Sequence, residues 1–296
     1  MPQTDASQNH APHPLRGALF FLSTLFLFAA LDATAKYLSL FFAVPLLVWA
    51  RYVVHFLIML VAMVPTMGRE ILLTRRPWLM TFRALTLVGV TLLGQLALKT
   101  LPLAETTALV FVTPLLVALL AGPLLGERIS LRVWLATATG FVGVLLIARP
   151  GGALLGPGVA YALGAALCYA IYQILTRKLA ASEHPTRLLF YTALVGTLSM
   201  SAVLPSYWDG QIPTLTQGLL IVSLGIYGGL GHFLMIRAFR DAPASSLSPL
   251  LYVQLIWATL LGWWVFDHLP DFWSVLGMLI IGVSGLSLVF RIRKNS

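Results

Sequence analysis

Apolar residues fill this chain in blocks of about twenty, and the runs between them hold prolines, glycines and most of the charges. A helix rises about 1.5 Å per residue against a hydrocarbon core near 30 Å, so a block of about 20 apolar residues spans a bilayer as a helix. Ten such blocks are predicted, over residues 17–38, 44–64, 77–98, 105–124, 131–148, 157–177, 187–205, 217–237, 244–265 and 272–290. Breakers mark the joints: Pro65 and Gly68, Pro102, Gly126, Pro150-Gly151-Gly152, Pro185, Pro205 to Pro213, Pro243 and Pro270. The loops are too short for a soluble catalytic domain. The predicted fold is an all-α integral membrane protein of ten transmembrane helices.

The blocks repeat. At an offset of about 141, Asp32-Ala33-Thr34-Ala35-Lys36 falls on Gln173-Ile174-Leu175-Thr176-Arg177, and Ala97-Leu98-Lys99 with Pro102 falls on Ala238-Phe239-Arg240 with Pro243. Leu125-Gly126-Glu127-Arg128 likewise meets Phe266-Asp267-His268-Leu269. Five spans per copy is an odd number, so the second copy enters the membrane in the opposite sense, the inverted-topology repeat of secondary transporters. The expected organisation is a disordered polar tail over 1–14, one five-helix repeat over 15–150, a second, inverted one over 151–290, and a basic tail over 291–296. Residues 1–14 contain no apolar run, and the first block lacks the small-residue cleavage site of a signal peptide, so it is expected to remain as a span.

Composition agrees with a membrane protein. The 296 residues are 59% hydrophobic and only 10% charged, with mean hydropathy +0.90, where soluble domains carry about 25% charged residues. The net charge of +9 is spread over segment ends instead of one polar face, which speaks against nucleic acid as a partner. It is informative about orientation. With the N-terminus cytoplasmic, fourteen of the 19 Lys and Arg fall on that side, three on the other (Lys36, Lys99, Arg149) and two, Arg51 and Arg83, inside spans. Both termini are therefore expected in the cytoplasm of a bacterial inner membrane. A single cysteine, Cys168, excludes an intramolecular disulfide and a multi-cysteine metal site. No phosphate loop, Gly-x-Ser-x-Gly or His-Glu-x-x-His is present, so neither ATP hydrolysis nor a cofactor is expected. The partners anticipated are a small-molecule substrate and the lipid bilayer, with a monomer sufficient and a dimer left open.

Ionisable groups inside spans are expensive and become candidates for function. Asp32 and Arg51 lie at similar depth across the first hairpin, and Lys36 follows Asp32 by one helical turn, so a cluster of the three on the outer side is expected, either gating or structural. Asp32 reads as the sole deep carboxyl and hence the one candidate for proton coupling. Arg83 is expected to snorkel to the cytoplasmic interface. Thr91, Gln95 and Lys99 form a polar stripe at four-residue steps. His55 and His232 stand near the middle of their spans. The run Gly225-Ile226-Tyr227-Gly228-Gly229-Leu230-Gly231 allows close approach of another backbone, beside a binding site or in plain helix packing. Thr113-Pro114 and Ser248-Pro249 are expected to break spans four and nine, with Tyr252, Gln254 and Trp257 following the second kink. Tyr169, Tyr172 and Gln173 complete the deep candidates, while Trp49, Trp78, Trp134, Trp208, Trp263, Trp264 and Trp273 belong to interfacial belts.

The stretch Ala97-Leu98-Lys99-Thr100-Leu101-Pro102-Leu103-Ala104, then Thr113-Pro114-Leu115, Leu124-Leu125-Gly126-Glu127-Arg128 and Gly140-Phe141-Val142-Gly143-Val144-Leu145-Leu146-Ile147, resembles the EamA-type members of the drug/metabolite transporter superfamily. The resemblance extends over residues 17–290, with Asp267-His268 in the second half where the family commonly has Gly-Glu. It implies two inverted five-helix repeats around a central cavity and alternating access without ATP. It further implies export of neutral and aromatic amino acids, with an S-adenosylmethionine or nucleotide-type carrier as the alternative. An intramembrane enzyme or a passive channel remains the reading from another class.

Overall fold

A computed structural model of the chain describes residues 14–125, 131–148, 156–180, 182–208, 210–241 and 247–292, and within them it is helical with no strand. The first half holds α1 (Pro14–Leu38), α2 (Val44–Met67), α3 (Pro77–Thr100), α4 (Leu103–Val110), α5 (Thr113–Leu125) and α6 (Leu131–Ala148). The second holds α7 (Pro157–Ala180), α8 (Pro185–Val203), α9 (Leu215–Asp241), α10 (Val253–Phe266) and α11 (Phe272–Ile292). Among the described residues, six helical stretches are long and apolar enough to cross a membrane: 15–38, 44–62, 77–100, 157–176, 185–206 and 215–235. Shorter apolar helices occupy 103–117, 134–147, 250–266 and 272–284.

Proline sets several of these starts. Pro77, Pro157 and Pro185 stand in first turns, where a missing N–H costs nothing and the fixed φ suits a helix. At α8 the His184 ring Nδ1 also accepts from the Thr186 N–H at 3.3 Å. Where proline falls inside an apolar block the helix breaks. The expected span over 105–124 is two helices, with the interruption at Phe111-Val112 ahead of Pro114. There the Thr113 hydroxyl donates to Val110 O at 2.6 Å and lies 3.3 Å from Ala166 O of α7, occupying a carbonyl freed by the break. In the second half Ser248–Tyr252 is a 3-10 turn around Pro249, leading into α10. Both expected kinks are thus present.

The most extensive helix pairings are unchanged when the two halves are exchanged. α1 lies along α9, and its counterpart α7 lies along α3; α2 packs on α9, and its counterpart α8 packs on α3. The same exchange maps α1 against α10 onto α7 against α4 and α5. Three contacts map onto themselves: α2 with α8, α6 with α11, and α4 with α10. At the second of these the backbones meet almost directly. A Cβ on Gly143 would stand 2.7 Å from Gly277 O, and one on Gly277 would stand 2.6 Å from Gly143 O, so only glycine permits this crossing. The Ser284 hydroxyl, two turns further on α11, donates to Ala136 O of α6.

The two halves are also tied at their ends. Between α7 and α8, Glu183 accepts from the Thr74 hydroxyl of the α2–α3 loop at 2.5 Å and from Arg187 at 2.7 Å. Burial pushes the Glu183 carboxyl up, but these hydrogen bonds and the Arg187 charge outweigh it and hold it below the usual carboxylate range. The Tyr191 hydroxyl donates to Leu72 O beside it.

Candidate functional site

The polar groups buried between α1, α2, α3, α7 and α9 define the candidate site. The glycine run of α9 is what admits them. Its bare face receives the ridge Arg51, Val54, His55 and Ile58 of α2: a Cβ on Gly228 would lie 3.3 Å from Arg51 Nε, and one on Gly229 would lie 3.5 Å from His55 Cδ2. Any side chain there would displace the guanidinium. One turn on, His232 lies parallel to His55 with ring centroids 6.3 Å apart and planes 11° apart. Phe28 of α1 meets His232 edge-on at 5.1 Å, and the Thr24 hydroxyl lies 3.2 Å from Gly231 O. The His232 Nδ1 is buried without a hydrogen-bond partner. A buried nitrogen in that condition is costly unless something enters to meet it.

Asp32 and Arg51 are within electrostatic reach of each other but form no ion pair within 4 Å among the described residues. Lys36 is not with them. Its Nζ donates to Leu98 O at 2.5 Å and Leu101 O at 2.7 Å, and lies 5.5 Å from the centroid of the Phe266 ring. The expected cluster of three is therefore corrected to an Asp32–Arg51 pairing at a distance, with Lys36 turned away. The last carbonyls of α3 lack intrahelical donors and carry the negative end of the helix dipole, so they offer the Lys36 ammonium two acceptors of their own.

Arg83 overturns a second expectation. It does not snorkel: it is 2% exposed, and its fork donates from Nε to Thr176 Oγ1 at 2.7 Å, from Nη1 to Leu188 O at 3.0 Å and Thr192 Oγ1 at 2.9 Å, and from Nη2 to Tyr172 OH at 2.7 Å. The guanidinium carbon also stands 4.4 Å from the centroid of the Tyr172 ring. Four neutral acceptors and a ring face are worth more to it than the interface, because a planar fork satisfies several bonds at one ordering cost. Tyr172 stacks in turn on Tyr169, with centroids 5.9 Å apart. Arg51 and Arg83 both lie within electrostatic reach of His232.

The stripe on α3 divides. Thr91 is buried and lies 3.0 Å from the Tyr52 hydroxyl; Gln95 is buried with both amide atoms unpartnered; Lys99 is exposed. Trp257, edge-on to Phe26 at 5.1 Å, also buries its Nε1 without a partner. Gln173 is half-buried and Gln254 buried. Tyr227 packs instead on the Leu31, Leu47 and Leu224 core, and Tyr252 on Phe111 with centroids 5.8 Å apart. The side chain of Ser248 lies outside the described residues.

Two contributors to this site are absent from the sequence-based set, Arg83 and Tyr52, and a buried carboxyl elsewhere in the fold, Glu105, is absent from it as well. Arg83 carried its signal as a charge nearly two turns inside an apolar block. Glu105, at 1% exposure in the first turn of α4, is a buried carboxyl that the reading of the spans left out. It stands at the predicted edge of span four, which the true start of α4 at Leu103 moves inward.

Comparison with known proteins agrees with this architecture. The model of the EamA-like transporter family matches residues 15–149 and again 156–291. An S-adenosylmethionine uptake transporter of Rickettsia bellii is 28% identical over 278 residues, 94% of each chain. A riboflavin transporter of Vibrio cholerae is 30% identical over 279 residues, 92% of each chain. A solved crystal structure with 21% sequence identity shares the fold at a TM-score of 0.64, covering 95% of this chain and 98% of the other. Two family matches laid on two exchange-symmetric halves, with polar groups buried between them, place this chain in the EamA-like transporter family, as a membrane-embedded transporter of small-molecule metabolites.

Proposed function

We propose that the chain is a ten-span, alternating-access carrier with both termini in the cytoplasm, and that its substrate joins a flat aromatic ring to an anionic or carbonyl-rich end. Two cations, Arg51 and Arg83, lie within electrostatic reach of His232 against one carboxylate, Asp32, so the site carries a formal excess of one positive charge and favours a substrate of zero or negative charge. This charge excess is the observation that carries the reading. Phe28, His232 and Trp257 supply aromatic surface for a ring, and the unpartnered Gln95 amide supplies a donor and an acceptor for its edge. Aromatic amino acids meet this description through ring and carboxylate. A flavin meets it through ring and carbonyls, and the riboflavin transporter of Vibrio cholerae supports that member of the class.

A second reading is a carrier for S-adenosylmethionine, supported by the Rickettsia relative and by Asp32, which offers a counter-charge to a cationic group. Counterflow in proteoliposomes separates them. Preloaded riboflavin, phenylalanine or tryptophan is expected to accelerate uptake of its labelled form saturably, with S-adenosylmethionine a weak competitor. Arg51→Gln is expected to weaken apparent affinity about 10- to 100-fold, the loss of one charge-assisted hydrogen bond of about 1.5–3 kcal/mol. Counterflow with S-adenosylmethionine alone would replace the first reading by the second. Unsaturable flux of every compound would reject both in favour of a channel.

A further inference from the structure

Away from the site just described, four elements from both halves converge on one buried carboxylate. Glu105 sits in the first turn of α4, where the dipole favours an anion. Its Oε1 lies 3.4 Å from Nε2 of His268, in the α10–α11 loop, while its Oε2 is buried with no partner. Lys36 of α1, anchored on the last carbonyls of α3, is within electrostatic reach. Beside them opens a recess of about 330 Å³, lined among others by Lys36, Phe266 and His268. The His268 side chain is 44% exposed, so the imidazole links the exterior to a carboxylate the solvent does not touch.

We propose that Glu105 is the proton-carrying carboxylate of the transport cycle, loaded through His268 from the outer face and unloaded to the opposite face once the carrier has turned inward. This rests on the carrier reading above. The chemistry is one proton: hydronium from the outer solvent protonates the imidazole and leaves water, the Nε2–H bond breaks as the Oε1–H bond forms and the ring is left neutral, and the Oε1–H bond later breaks to water on the opposite face. In the ionised state Glu105 faces the His268 imidazole and the Lys36 ammonium, which joins α4 of the first half to the α10–α11 loop of the second. In the protonated state that attraction is gone, and the outer ends of the halves are free to part. The groups that bear on this carboxylate are few. Tyr161 of α7 and Tyr252 border the same apolar core, Lys99 at the end of α3 is exposed, Asp267 and Asp271 are exposed in the α10–α11 loop beside His268, and Arg132 and Arg291 belong to the first turn of α6 and the last turn of α11. Asp32, two turns from the end of α1, lies nearest Arg51 instead.

Proteoliposomes holding the full chain test this with two measurements on one sample. Counterflow without a pH difference reports the carrier; net accumulation under an imposed pH difference reports the coupling. A gradient of one unit supplies at most about tenfold accumulation per coupled proton. The wild type is expected to show both, and Glu105→Gln to keep counterflow while accumulation falls to the ungraded level. His268→Asn is expected to slow accumulation with counterflow intact. Wild-type counterflow with no response to the gradient overturns the proposal and leaves the carrier reading standing, as does an undiminished response in Glu105→Gln. If Glu105→Gln does not insert, His268→Asn decides: an unchanged accumulation rate there overturns the proposal.

Discussion

Arg83 shows how far a single residue can depart from its usual behaviour when neighbours are arranged for it. The hydroxyls that accept from it already donate to their own helices, Thr176 to Tyr172 O at 2.6 Å and Thr192 to Leu188 O at 2.8 Å, so their lone pairs are left facing the guanidinium. Removing the cation therefore strands no donor. A long apolar replacement also removes a buried charge, and such exchanges are often close to neutral in stability. Arg83→Met is expected to shift the melting temperature in detergent by no more than the 2–4 °C that corresponds to about 1 kcal/mol. Counterflow should meanwhile fall by an order of magnitude if the charge serves the substrate. A large loss of stability with transport retained would make Arg83 a structural residue instead. Sequence alone could flag this charge as buried or snorkelling, but it could not choose, because the acceptors come from α7 and α8, about ninety or more residues away. The same holds for Lys36, whose partners lie on α3. Charges within apolar blocks are legible as exceptions; their partners are not.

At the scale of elements, prolines and glycines carried most of what could be read in advance. Proline predicted both helix breaks, since its missing N–H and ring clash are local properties. The glycines were ambiguous, because a bare face invites either a neighbouring helix or a ligand. On α9 both descriptions apply: α2 fills the face, and the residues it brings are Arg51 and His55. The α6–α11 crossing is simpler and gives a sharper expectation. Gly143→Ala should lower stability by about 1–3 kcal/mol, since the methyl would meet the Gly277 carbonyl and Ile281 and the helices would have to separate. Gly94→Ala, where nothing lies within 4 Å of the added carbon, should be neutral or slightly stabilising through helix propensity. Thermal unfolding of the two variants in the same detergent checks the sign. Equal responses would mean that the crossing tolerates a wider separation than its geometry suggests.

For the whole molecule, the repeat was legible from a constant offset of prolines, charges and apolar blocks, and the exchange-symmetric pairing of helices is its physical counterpart. What the offset could not convey is how little each half keeps to itself. The extensive helix contacts α1 with α9, α3 with α7 and α6 with α11 all join one half to the other. A chain with such interlocking halves resembles an obligate dimer whose subunits have been joined end to end. Its covalent link should then matter for stoichiometry more than for structure. Two separately encoded fragments, divided between residues 150 and 155, are expected to assemble when expressed together in one membrane, co-purify and restore counterflow, whereas either alone should be degraded or aggregate. Recovery of one stable, isolated fragment would show that a half can bury its own apolar faces.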